Sequence, residues 1–138
     1  MSNDNRPAEG DAPPSAPLLR DQERARHAYA VVGSVVEEYR EDYKIAVHAL
    51  SAEILQSGLA AAMSGLERRE KIGPILLGHL ASAQLPGIVE TTAGRALPDQ
   101  IRALDTDRYI LATRETLQVA VWLKRAVQAK FKKVSSDA

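Results

Sequence analysis

The chain contains no cysteine, three histidines, one tryptophan and one phenylalanine in 138 residues. The missing thiol excludes disulfides, thiolate metal sites and cysteine nucleophiles together, and fits a reducing, cytoplasmic setting. No two of His27, His48 and His79 have the three- or four-residue spacing that sets two imidazoles on one helix face, so no metal is expected. With aromatics at 4%, the core has to be built from Leu, Ile, Val and Ala. Long apolar runs are missing too. No stretch approaches the ~20 residues of a membrane span, and the N-terminus lacks the apolar segment of a signal peptide, so no membrane partner is expected.

Recognisable catalytic patterns are equally scarce. The glycines form no phosphate-cradling loop of either common spacing. Ser57-Gly58 and Ser64-Gly65 lie inside helical patterns with no strand before them, which is not the setting of a nucleophile elbow; Gly58 and Gly65 read instead as places where helices approach closely. Glu37, Glu38, Glu41 and Asp42 form an acidic cluster on a mixed, solvated helix face rather than in a pocket able to push two carboxyl pKa values apart. No catalytic residue, no cofactor and no enzymatic activity are expected.

What remains is 45% hydrophobic and 26% charged, the balance of one soluble domain. Its net charge of zero hides a polarity. Residues 1–107 hold 11 basic against 16 acidic side chains, a net of −5, whereas residues 108–138 hold 7 against 2, a net of +5. A separation of this kind can steer a polyanion to one face.

Residues 1–17, rich in Pro, Asp, Asn, Gly and Ser, lack the apolar periodicity that would offset the entropy of ordering, and are expected to be a disordered tail. Residues 18–134 are expected to form a helical domain and 135–138 a frayed end. Apolar residues at three- and four-residue steps (Ala25, Ala28, Tyr29, Val32, Val36, Tyr39, Tyr43) predict a long first helix from Asp21. Ser51 is placed as the cap of a second helix, with Ile54, Leu55, Leu59, Ala62, Met63 and Leu66 inward. A third helix carries Pro74 in its first turn and stops at Pro86-Gly87, a short one covers 98–104, and Thr106 caps a last helix of residues 106–133. Nothing alternates with period two. The expected class is all-α, a compact bundle of about five helices ending in a long C-terminal one.

That last helix carries the strongest signal. At ~100° per residue, Tyr109, Ala112, Thr116, Val119, Ala120, Leu123, Val127 and Phe131 share an inner edge, while Arg114, Gln118, Arg125 and Lys132 fall opposite with Lys124 on their shoulder. Lys130, Lys132 and Lys133 also suit the negative end of a helix dipole. The run Val-Ala-Val-Trp-Leu at 119–123 points all round the helix, so Val121 and Trp122 are expected either to pack under neighbouring helices or to meet another subunit.

The run Tyr109-Ile-Leu-Ala-Thr-Arg-Glu-Thr-Leu117 with Trp122-Leu-Lys-Arg125, preceded by Arg24-Ala25 with Ala28-Tyr29 and by Ile54 with Gly58-Leu59, resembles in order the motifs of the small subunits of type III-B CRISPR Cmr complexes. The chain departs from the pattern at Ser51, Ser57, Ala126 and near Met63. The resemblance implies a non-catalytic helical subunit that joins other Cmr subunits, stacks with copies of itself in a short filament, and lies along guide RNA and target RNA. It carries a nucleic-acid role onto Arg24, Lys124 and Arg125, to which the stripe adds Arg114 and Lys132. Two other readings compete: a helical adaptor meeting only proteins, and a helix-turn-helix DNA binder, for which Asp105 and Thr106 leave too short a turn.

Overall fold

The computed structural model describes residues 19–89 and 92–131, and among these every regular element is helical. The expected tail at 1–17 and the end beyond 131, with Lys132, fall outside the described residues. Six α-helices follow in order: α1 Arg20–Gly33, α2 Arg40–Ser57, α3 Leu59–Glu67, α4 Ile72–Ala81, α5 Leu97–Arg102 and α6 Thr106–Lys130, with 3-10 turns at Glu37–Tyr39 and Gly94–Ala96. The all-α class and the long final helix stand as expected.

Two of the expected helices are each cut in two. The series beginning at Asp21 breaks after Gly33, where Ser34 turns its hydroxyl and its N–H back onto the Val31 carbonyl at 2.7 and 3.1 Å. The chain then dips Val35 into the core, leaves Val36 outside and restarts as α2. Ser51 caps nothing; it lies within α2, which runs on to Ser57. The break comes instead at Gly58, whose φ of 96° and ψ of 160° lie in a region that only glycine enters cheaply. The change of direction buries Leu59 completely, while Leu55, on α2 before the break, is 73% exposed.

Helix α4 begins two residues before Pro74, which sits in its first turn, and ends at Ala81, well before Pro86-Gly87. Asp105 rather than Thr106 caps α6: its carboxylate accepts the Arg108 N–H at 2.9 Å. Gly65 has open space where a side chain would stand. The close approaches are at Gly73, where a Cβ would strike the Leu66 carbonyl oxygen, and at Gly94, where one would come within 2.6 Å of the Gly78 backbone nitrogen. The second contact lays the 3-10 turn before α5 directly on α4.

The core is aliphatic, as the composition requires. Leu50, Leu59, Leu76, Leu80, Leu97, Ile101 and Leu123 are fully buried around one Tyr43. Helix α6 is the spine, and α1 and α2 pack along it. Its inner edge buries Ala112, Thr116, Val119, Ala120, Leu123, Ala126 and Val127, while Phe131 closes the far end edge-on to Tyr43. At 1.5 Å per residue, its 25 residues make a rod of about 37 Å.

Candidate nucleic-acid interface

The outer side of α6 holds the cations that the stripe singled out. Arg114 and Arg125 are exposed and Lys124 is half-buried on their flank. Among the described residues, none of the three makes an ion pair. By contrast, Arg20, Arg24, Arg102 and Arg108 are each within 4.0 Å of a carboxylate of their own chain. Arg125 instead lies over the Trp122 ring, its guanidinium carbon 4.7 Å from the centroid. Such stacking leaves the charge available while holding the side chain in place.

This ridge is not purely cationic. Ile110, Leu111 and Val121 are exposed on the same side, and Trp122 is half-buried beside them. Trp122 therefore packs partly against its own core and partly under Arg125.

Arg24, carried onto RNA by the resemblance, is engaged internally. Its Nε and Nη2 donate to the two oxygens of Glu115, both at 2.8 Å, and Arg20 Nη2 donates to the same carboxylate at 2.7 Å. The Arg24 and Glu115 side chains are only 17% and 10% exposed. Burial alone would raise the Glu115 carboxyl, but the Arg24 hydrogen bond and the Arg20 charge outweigh it and hold the group below its ordinary value. Reciprocally, the Glu115 hydrogen bond raises the Arg24 guanidinium. The trio ties α1 to the middle of α6.

Sequence reasoning passed over Glu115 and Arg20. A signal was there: Glu115 falls among Ala112, Thr116 and Val119 on the inner edge, where an acid needs a cationic partner. Arg20 and Arg24, one turn apart on α1, are that partner.

Beside the trio lies a cleft of about 290 Å³ lined by Arg20, Arg26, His27, Ser82 and Gln84. Gln84 holds a left-handed φ of 59°, and its carbonyl accepts Arg20 Nη2 at 3.3 Å. Deeper in, Tyr43 is fully buried, so its phenol is pushed up and stays protonated. Its hydroxyl shares a 2.7 Å hydrogen bond with His79 Nδ1. Burial and the neighbouring His27 lower His79 to about 4. Ser82 gives its single proton to the His79 carbonyl at 3.0 Å, so His27 Nε2 is the donor in the 3.0 Å contact with the Ser82 hydroxyl. Arg20, His27, Ser82, Tyr43 and His79 are thus each engaged within the chain, and Arg26 is exposed. Among the described residues there is no set of three His, Cys, Asp or Glu placed to hold a metal.

On the other side of the trio, Pro86, Leu111, Arg114, Leu117 and Gln118 line a groove of about 350 Å³. No described helix is long and apolar enough to cross a membrane.

Comparison with known proteins gives this helix its setting. A family model described as CRISPR-associated protein (Cas_Cmr5) matches residues 20–130. No curated protein matches the chain in sequence. Among solved structures, the crystal structure of a CRISPR-associated Cmr5 family protein from Thermus thermophilus superposes with a TM-score of 0.74 at 28% identity. It covers 83% of this chain and 100% of that one. The matched span runs from the first residue of α1 to the last of α6 and takes in the buried trio, the spine and its outer ridge, and on that ground the chain belongs to the Cmr5 family, the small subunits of type III-B Cmr complexes.

Proposed function

We propose that this Cmr subunit is a non-catalytic scaffold that works in the cytoplasm, stacks with copies of itself beside the other subunits, and holds guide and target RNA without reading sequence. The single observation behind the RNA contact is that Arg114, Lys124 and Arg125 stand along one rod with no acid of the described chain holding them. Guanidinium and ammonium groups spaced along a helix suit successive phosphates. Nothing more is needed where guide–target pairing already supplies specificity. Lys132, which the sequence spacing adds to the same stripe, falls outside the described residues. Arg24 acts at one remove, as half of the strut that fixes α6 against α1.

A second reading is favoured by a different observation. The exposed Ile110, Leu111 and Val121, interleaved with arginines and beside Trp122, have the composition of a protein-binding face, so Val121 and Trp122 serve as a subunit contact. If the ridge meets only proteins, the subunit is an adaptor.

Replacing Lys124 and Arg125 together by alanine separates the two. Assembled complexes carrying the variant are expected to bind RNA more weakly at low salt. The slope of log K against log salt should become less steep by about 1.4, since each single-stranded phosphate contact contributes about 0.7. Unchanged affinity and slope would leave the adaptor.

A further inference from the structure

The cleft lined by Arg20, His27 and Ser82 holds more positive charge than the fold consumes. Arg20 is fully committed: its two terminal nitrogens donate to Glu23, Glu115, the Gln84 side-chain oxygen and the carbonyls of Ala83 and Gln84, at 2.7 to 3.4 Å. Arg24 gives Nε and Nη2 to Glu115, and its Nη1 has only Asp21, 4.0 Å away. Arg26 also lines the cleft, is exposed, and makes no ion pair among the described residues. With its oxygen held by Arg20, the Gln84 amide keeps its NH2 group for another acceptor.

The charges can be counted. Arg20, Arg24 and Arg26 stand against Glu23 in the lining and Glu115 behind it, three cations to two acids. His27 adds none, because burial lowers its imidazole below the ordinary value and leaves it neutral near pH 7. One positive charge is left over. Val119 and Ala83, 2% and 6% exposed, make the deep part of the lining apolar. At about 290 Å³ the space lies near the lower limit of small-ligand sites, ~300 Å³. The ligand that fits is small, carries one negative charge and has an apolar stem. A strand of RNA fits badly, for it brings a charge with every nucleotide past Asp21 and Glu23, whose side chains are 66% and 41% exposed. At ~100° per residue, Val119 also lies about 140° round α6 from Arg114 and about 120° from Arg125, so the cleft does not open onto the outer ridge.

We propose that this cleft is a binding site for a single carboxylate on a short aliphatic stem, with Arg26 as its principal partner and Val119 beneath the stem. The planar fork of a guanidinium matches the two oxygens of a carboxylate, and a charge-assisted pair of this kind gains strength where water is partly excluded. The Gln84 amide and Arg24 Nη1 are the further donors the lining offers. Two sources supply that chemistry: an acidic side chain of a neighbouring protein chain, or a free carboxylic acid. The site uses none of Arg114, Lys124 and Arg125, so it goes beyond the RNA contact and does not depend on it.

The full chain, labelled with nitrogen-15, is titrated with N-acetylglutamate α-amide while the Arg26 Nε–H and Ser82 backbone N–H signals are followed by NMR. Saturable shifts of both are expected, with none from the neutral N-acetylglutamine α-amide. Arg26→Gln should weaken binding by about ten-fold and leave the thermal midpoint unchanged, since Arg26 holds nothing in the fold. No saturable shift, or equal shifts from the neutral amide, would overturn the site. Tighter binding of inorganic phosphate or of a uridine hexanucleotide at the same signals would overturn the carboxylate assignment in favour of phosphate or RNA. The source is then read in purified complexes carrying Arg26→Lys, treated with a carbodiimide that joins an amine to a carboxylate in direct contact. A bond from the introduced amine to an acid of another chain identifies a neighbour's side chain as the ligand. Bonds only to Asp21 or Glu23 of its own chain, with the small acid still binding, identify a free carboxylate.

Discussion

Glu115 is the side chain on which most of the local order converges. Ionised and nearly buried, it is tolerable only because three N–H donors from Arg20 and Arg24 reach it between 2.7 and 2.8 Å. Removing one member of a buried pair costs more than the pair contributes, because the partner charge is left without compensation. Glu115→Ala is therefore expected to destabilise the fold by about 3 kcal/mol, read as a lower midpoint in urea unfolding. Acid acts on the same region through His79. Its folded value of about 4 lies below the 6.5 of a free imidazole, so the unfolded chain takes up this proton first as pH falls. Stability is complete above pH 6.5 and declines through the window from 6.5 to 4, with Glu115 adding a loss at lower pH as its depressed carboxyl protonates. Thermal melting across that window checks it: the midpoint should fall with acidity in the wild type and fall less in His79→Gln.

Among the helices, α6 was the most legible, and the reason is its length. Seven turns of one apolar stripe leave no doubt about phase, and the inner-edge residues from Ala112 to Val127 are buried as expected. The shorter elements were misdivided because apolar spacing survives a break. Leu59, Ala62 and Met63 continue the pattern of Ile54 without continuing its helix, since a kink at Gly58 re-aims them onto the same core. What holds that kink comes from far along the chain. The Tyr109 hydroxyl of α6 accepts the Ala60 N–H at 2.9 Å, satisfying one of the orphan donors at the start of α3. Tyr109→Phe is expected to cost about 1 kcal/mol. Gly58→Ala should cost about 1–3 kcal/mol through backbone strain at φ 96°, a difference readable from paired denaturation curves.

For the protein as a whole, a formal charge of zero coexists with Arg114, Lys124 and Arg125 standing without ion pairs among the described residues along the outer side of α6. That arrangement favours contact at a defined place over general stickiness. Composition and periodicity were enough to establish the helical class, the aliphatic core and the identity of the spine, because these follow from short-range spacing and residue type, whereas the family was reached through the resemblance of particular motifs in order. Pairings between distant segments were beyond their reach. Whether an arginine is free or spent depends on what the fold brings within 3 Å of it: Arg24 and Arg114 are both arginines on amphipathic helices, and only the packing of α1 against α6 commits the first to Glu115 and leaves the second at the surface.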